Sequence, residues 1–271
     1  MAQCKKAVIM ARGLGTRMRQ ADDAARLDEQ QAEIADAGVK AMIPIGRPFL
    51  DYVLSGLADA GYSEVCLVIG PEHGIVRDYY RENVPRRIAL AFAIQQEPLG
   101  TADAVLAAKD HIGKEHFLVI NSDNYYPVEA LRGLRELGES GIALFDRDRL
   151  IAESNIPEDR VLKFAVAKVK DGFCLERIYE KPLPETIRAL GLPVYVSMNS
   201  WMFSPVIFQA CRKVRPSARG ELELTDAVQY AIDVLKERFR VLTYKSPVLD
   251  MSSRSDIALV AERLRPVNPI L

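Results

Sequence analysis

Three histidines (His73, His111, His116) and four cysteines (Cys4, Cys66, Cys174, Cys211) are all the imidazole and thiol that this chain offers a zinc ion. They lie far apart and show none of the close spacing of a zinc site, so zinc is not expected. Scattered cysteines of this kind fit reduced thiols in a cytoplasm. No apolar run is long enough to cross a bilayer, and the opening MAQCKK lacks the apolar core of a signal peptide. Charge of one sign is also missing. Lys and Arg number 36 against 37 Asp and Glu, a formal net charge of -1 at pH 7 with His neutral, so no field draws nucleic acid or an anionic membrane to the surface. The sequence has no internal repeat, low-complexity tract or clear linker. What is there is a chain of 271 residues, 49% hydrophobic and 27% charged, long enough to bury a substantial core.

The organising stretch is VIMARGLGTR, residues 8–17. Residues 7–10 read as a buried strand. Gly13 and Gly15 then allow a sharp turn and a close approach to a ligand. Arg17 adds a fixed charge with several donors. Successive backbone N–H groups in such a loop can cradle phosphate, although an ordinary strand-to-helix turn has the same outline. Two common motifs are set aside. Met18 stands where the dinucleotide fingerprint needs its third glycine, and the Gly-Lys-Ser/Thr of a Walker loop is absent.

Along the first half, strand and helix alternate. Strands are expected at 7–10, 64–69, 88–95 and 116–121, and helices at 19–37, 49–60, 75–81 and 101–108, with Gly61 closing the second helix. Such alternation gives a mostly parallel sheet covered on both faces, with ligands at the carboxyl ends of its strands. The second half is more mixed. Strands are expected at 141–145, 195–203 and 241–244, and a hairpin joins 161–169 to 174–179 around the Asp171-Gly172 turn. Helices are expected at 208–211, 225–237 and 255–264. The simplest organisation is one domain over 1–271, with a nucleotide-binding half (1–140) and a substrate-binding half with closing helices (141–271).

Several polar residues fall at strand ends. Asp123, in VINSD, suits a hard cation such as Mg²⁺ or caps a turn. Asp250, in SPVLDMSS, suits the same cation or caps the last helix. Lys40 either reaches back to the glycine loop or sits solvated on the surface. Gln95 both donates and accepts, which matches a base edge, and Gly100 lets a flat ring approach the backbone. Thr101 can cap the helix that starts there. Glu180-Lys181-Pro182 sets an acceptor beside a cation, which suits a sugar phosphate or simply a solvated charge pair. Asn199 and Glu221 are candidate hydroxyl ligands, or else an interior strand amide and a helix-start acid.

Taken in order, GLGTRM, KAMIPIGRPFLDYVL, QQEPLGTADAV, VINSD, YEKP, NSWMF, GELELTDAV and VLDMSS resemble the sugar-1-phosphate nucleotidyltransferases, the sugar-nucleotide pyrophosphorylases, over nearly the whole chain. The resemblance implies a Rossmann-like α/β fold of the glycosyltransferase-A type, with a mixed, mostly parallel central sheet flanked by helices. It implies a nucleotide-binding loop of Ala11, Gly13, Leu14, Gly15, Thr16 and Arg17, with Gln95, Gly100 and Thr101 about the base. Lys40 would neutralise the α-phosphate, so that Arg17, Lys40 and Asp123 form the catalytic set. Asp123 and Asp250 would hold Mg²⁺. Glu180, Asn199 and Ala165 would face the sugar, and Lys181 its phosphate. The implied partners are a nucleoside triphosphate, UTP or dTTP first, and a sugar 1-phosphate. The sequence leaves a homo-oligomer open. A non-sugar phosphate such as phosphocholine, a purine nucleotide or CTP, and a silent nucleotide-sugar sensor are the rival readings.

Four departures accompany the resemblance. Arg12 stands where the family usually has a small residue beside the base, which bears on nucleotide choice. The Pro-Leu-Thr that often follows the signature is replaced by the longer segment 19–38 with its six acids, either a flap over the triphosphate or a solvated helix. Ser122 replaces a glycine before the metal aspartate. Ala165 replaces a glycine that often approaches the sugar, implying an altered sugar pocket. The chain also ends soon after Asp250, without the C-terminal β-helix of bifunctional relatives, so no second activity is expected.

Overall fold

The computed structural model describes residues 3–271; the first two residues of MAQCKK lie outside the described residues. Among the described residues eleven strands are formed: β1 (Lys6–Met10), β2 (Glu64–Ile69), β3 (Ala89–Ile94), β4 (Phe117–Asn121), β5 (Asn124–Tyr125), β6 (Gly141–Asp146), β7 (Val166–Lys170), β8 (Cys174–Tyr179), β9 (Tyr195–Phe203), β10 (Arg240–Tyr244) and β11 (Leu249–Asp250). Nine of them make one sheet in the order β3-β2-β1-β4-β9-β6-β10-β8-β7, and β11 pairs with β5 apart from it. The first four strands are all parallel. Strand β9 then runs antiparallel to β4 and β6, while β10 is parallel to β6. The parallel character is thus concentrated in the first-half strands, where helical crossovers link them.

Strand β1 shows why the sheet is central. Ala7 and Ile9 point into one apolar layer, Val8 and Met10 into the other, and all four are buried. A strand covered on both faces needs such a continuous apolar run. One layer packs under the helices Phe49–Asp59, Val128–Glu136 and Arg254–Leu264, the other under Thr101–Ala107 and Leu224–Asp233. Burying a side chain such as Ile9 stabilises the fold by roughly 1.5–3 kcal/mol.

Three expected elements differ. Residues 19–37 are not one helix: a single turn, Thr16–Arg19, is followed by irregular chain, and the helix runs only over Glu29–Ala37. It starts there because Asp28 accepts from Gln31 N while the Gln31 side chain accepts from Asp28 N, a capping box. The hairpin's first arm begins at Val166, since 158–161 form a helical turn. The helix expected to reach 237 ends at Asp233, because Lys236 turns left-handed at φ 59.

Candidate active site

The sheet runs β3-β2-β1-β4 here, and a cavity of about 270 Å³ opens over the carboxyl ends, lined by residues that end or follow β1, β3 and β4. After β1, Ala11 N donates to Val68 O and Ser122 N to Met10 O, which fixes the entry to the glycine loop. A Cβ on Gly13 would meet nothing within 4 Å, so this glycine stands open toward the cavity that it lines. Gly15 behaves differently. It caps the turn Thr16–Arg19 at φ 62, and a Cβ there would lie 2.2 Å from Gly38 O. Its close neighbour is therefore the chain itself, not a ligand as the sequence suggested. Ala11 and Leu14 line the cavity, whereas Thr16 and Arg17 are exposed beyond it. The Arg17 guanidinium donates to Ser252 Oγ at 3.5 Å.

Lys40 opens a short 3₁₀ turn, Lys40–Met42, just after the inserted helix. Its Nζ lies 2.6 Å from Asp123 Oδ2, with side-chain exposures of only 15% and 21%. The surface-lysine alternative is thereby overturned: two groups 83 residues apart are brought together on the cavity wall. Asp250 lies behind them. Met251 N donates to Asp123 O at 2.7 Å, and β11 places Asp250 opposite Asn124. Asn124 Nδ2 donates to Asp250 Oδ2 at 3.1 Å, and Asn155 braces the Asp250 backbone with bonds of 2.7 and 2.9 Å. Asp250 does not cap the last helix. Ser253 does so, in a capping box with Asp256.

The charge around Asp250 is uncompensated. Arg160 approaches its Oδ1 no closer than 3.6 Å, because that guanidinium is forked onto Asp256 at 2.7 and 2.9 Å. Asp250 Oδ1 is buried with no hydrogen-bond partner. Burial, then the neighbouring Asp123 carboxylate, push the Asp250 carboxyl up to about 6 against the opposing pull of Arg160. Burial would also raise Asp256, but hydrogen bonds from Arg160 and Ser253 outweigh it and hold that group below its usual range. Three aspartates thus face two cations. An orphaned carboxylate oxygen and a surplus negative charge fit a hard divalent cation at Asp123 and Asp250.

Gln95 follows β3 and is buried. Its Nε2 donates to Gly100 O at 3.0 Å and Asp103 Oδ2 at 2.8 Å, so both amide hydrogens are used within the chain. Gly100 has φ 120, and a Cβ there would lie 2.6 Å from Leu222 N and O. The glycine is required by the crossing segment at Leu222, whose N donates to Leu99 O and whose O accepts from Ala102 N, rather than by a flat ring. Thr101 does not cap its own helix. Its Oγ1 accepts from Leu224 N at 2.9 Å and so caps the helix Leu224–Asp233.

Of the residues expected about the sugar phosphate, Asn199 and Glu221 line the cavity. Asn199 sits at φ 55 where the register of β9 against β6 slips, a bulge that re-aims its side chain. Glu221 is in a loop three residues before its helix starts. Glu180, Lys181 and Ala165 lie off the cavity wall. Glu180 accepts from Thr225 Oγ1 at 3.5 Å and faces Arg219 at 4.0 Å. Burial, then Glu223, raise its carboxyl above the usual range. Lys181 is exposed with φ 44. Ala165 is buried, and its carbonyl accepts from Ser197 N. Sequence reasoning missed Asn124, Asn155, Arg160 and Arg219. Asn124 adjoins VINSD, but the other three carry no local signal.

The nucleotidyl transferase family model matches residues 6–246 of the chain. The low-salt glycan biosynthesis nucleotidyltransferase Agl11 of Haloferax volcanii is 29% identical over 238 residues, covering 84% of this chain and 59% of that protein. A glucose-1-phosphate thymidylyltransferase of Streptomyces griseus is 29% identical over 230 residues, covering 84% of this chain and 57% of that protein. The chain therefore spans less than two-thirds of the length of these two relatives. The UTP–glucose-1-phosphate uridylyltransferase AglF of Haloferax volcanii is 27% identical over 231 residues, with coverages of 84% and 83%. A crystal structure of UDP-glucose pyrophosphorylase complexed with UDP-glucose superposes with a TM-score of 0.74 at 20% identity, covering 97% of this chain and 99% of that one. This likeness shows the Rossmann-like fold of the glycosyltransferase-A type.

Proposed function

The chain belongs to the nucleotidyl transferase family, and on that premise we propose that it joins UTP or dTTP to a sugar 1-phosphate, releasing pyrophosphate. The observation that carries this reading is the Lys40–Asp123 ion pair on the wall of a cavity bounded by the glycine loop, with the charge-surplus Asp250 behind it. The sugar-phosphate oxygen attacks the α-phosphorus in line. A new P–O bond forms as the bond to the pyrophosphate oxygen breaks, and no covalent enzyme intermediate is required.

Catalysis in this reading is positioning and charge neutralisation. Backbone N–H groups of residues 12–15 and the Arg17 guanidinium hold the triphosphate. Lys40 meets the negative charge that develops on the α-phosphate. Asp123 and Asp250 would hold Mg²⁺, which would supply neutralisation of phosphate oxygens. Gln95, with its amide hydrogens committed to Gly100 and Asp103, turns an acceptor oxygen toward the base. Asn199 and Glu221 on the cavity wall take sugar hydroxyls, while Glu180 and Lys181, which lie off that wall, are the further candidates for a hydroxyl and the sugar phosphate.

Pyrophosphate release tests this. UTP, dTTP, CTP, ATP and GTP are crossed with several hexose 1-phosphates and phosphocholine, with and without Mg²⁺. Release confined to a pyrimidine triphosphate with a hexose 1-phosphate and Mg²⁺ is the expected result. Release with phosphocholine only, or none from protein that binds UDP-sugar, would replace the reading with one of its rivals.

A further inference from the structure

Strand β11 is only two residues long, yet it carries Asp250. Its ladder with β5 sets Asp250 opposite Asn124, and Met251 N donates to Asp123 O at 2.7 Å. Asp250 and Asn124 are therefore a non-hydrogen-bonded pair, in which side chains lie close and the backbone N–H and C=O point away from the partner strand. The side chains do meet: Asn124 Nδ2 donates to Asp250 Oδ2 at 3.1 Å. The outward N–H and C=O of Asp250 have no third strand to receive them, since this sheet has two strands only. The Asn155 carboxamide takes that place. Asp250 N donates to Asn155 Oδ1 at 2.9 Å, and Asn155 Nδ2 donates to Asp250 O at 2.7 Å. A primary amide carries an acceptor and a donor side by side, as the backbone of a neighbouring strand does.

Asn155 comes from a distant part of the chain, the connection between the helix Arg147–Glu153 and the helical turn Glu158–Val161. That connection is itself anchored. Ser154 Oγ donates to Leu150 O at 2.6 Å and accepts from Ile156 N at 3.0 Å, and Leu150, Ile156 and Val161 are buried in the core. It leads on to Arg160, whose guanidinium is forked onto Asp256 and stays 3.6 Å from Asp250 Oδ1. Asp256 in turn accepts from Ser252 N at 3.1 Å and Ser253 N at 2.7 Å, just beyond β11. Asp250 is thus held at its N–H, its C=O and its Oδ2, and Oδ1 is left without a hydrogen bond.

We propose that Asn155 is a positioning residue for a divalent cation at Asp250: by standing in for a third strand it fixes the Asp250 backbone, and with it the place of the carboxylate beside Asp123. The inference rests on the metal reading of Asp123 and Asp250. Freed of Asn155, a two-residue strand gains backbone freedom, and binding the cation must then order the carboxylate as well, at a cost in metal affinity. A residue that served only the fold would, when lost, lower the melting temperature and leave that affinity unchanged.

The test is Mn²⁺ binding to the nucleotide-free protein, followed by the electron paramagnetic resonance of the free ion, because Mn²⁺ takes the same oxygen ligands as Mg²⁺. Wild type, Asp250→Asn, Asn155→Ala and Asn155→Ser are compared, with a melting curve for each. Ile112→Ala is the control for lost stability alone, since Ile112 is buried near the start of β1, where its carbonyl accepts from Lys6 Nζ. Wild type is expected to bind an ion that Asp250→Asn does not bind. Asn155→Ala is expected to weaken that ion roughly 10–100-fold. Asn155→Ser, whose hydroxyl is too short to serve both backbone groups, weakens it too and supplies the result if the alanine variant does not fold. Ile112→Ala is expected to melt lower and to keep the wild-type affinity. Unchanged affinity in the Asn155 variants, or an equal loss in Ile112→Ala, overturns the role of Asn155 while leaving Asp250 as a metal ligand. A wild type that binds no Mn²⁺, or an ion that survives Asp250→Asn, overturns the metal reading of Asp250 and this inference with it.

Discussion

Asp250 is the residue whose environment is most at odds with its charge. Its carboxyl is pushed up to about 6 from a usual value near 3.8, so the folded chain resists ionising it more than the unfolded chain does. Below pH 4 both states hold the proton and nothing is lost. As pH rises from 4 through 6, the penalty grows to its full size, on the order of 2–3 kcal/mol. Asp250→Asn removes the penalty. In metal-free protein the variant is therefore expected to be more stable than wild type at pH 7.5, with the gap closing toward pH 4 in parallel urea titrations. A gap that stays constant with pH would place the carboxylate in a compensated site. Mg²⁺ with nucleotide is expected to raise the wild-type melting temperature at pH 7.5 and to leave Asp250→Asn largely unmoved.

The elements around the cavity are locked by backbone crossings that leave no room for a side chain. Gly100 meets Leu222 and Gly15 meets Gly38. Gly100→Ala combines a φ of 120 with a contact of 2.6 Å to two backbone atoms, and it is expected to destabilise the fold by about 2–4 kcal/mol, read as a lower denaturation midpoint. An alanine variant with unchanged stability would mean that the Leu222 segment moves freely. The inserted segment is docked as well. Ile34 and Ala35 are buried, Asp36 pairs with Arg254, and Arg254 Nε donates to Met18 O at 2.9 Å. Its helix thus lies beside the glycine loop, and only its far end, from Gly38, reaches the cavity wall. Trypsin is expected to cut first at exposed Arg26 in the irregular chain before that helix, at the same rate with and without UTP and Mg²⁺. Strong protection by ligand would instead mark the segment as a flap.

At the scale of the whole molecule, the strand–loop junctions were legible and their partners were not. The apolar run into Gly13, the VINSD strand end and the Asp171-Gly172 turn are local signals, and each marks a real junction. Periodicity placed the four first-half strands of the main sheet within a residue or so, because strands buried on both faces need continuous apolar runs, and it missed the two-residue β5. The inserted helix was misread at its start because alanine and charge favour a helix throughout 19–37, while the Asp28 cap selects where it begins. What the sequence withholds is distance. Nothing beside Gly100 announces Leu222, nothing beside Asp250 announces Asn155 or Arg160, and Lys40 reads as a surface lysine until Asp123 is folded against it.

The central claim is that Lys40 and Asp123 act together on a phosphate at one cavity. The measurement that tests it most directly is the kcat of pyrophosphate release for wild type, Lys40→Met and Asp123→Asn, each with unchanged circular dichroism. Both variants are expected to lose roughly 10²–10³-fold in kcat, with the double variant little worse than either one. Full activity in Lys40→Met, or losses that multiply in the double variant, would contradict the account.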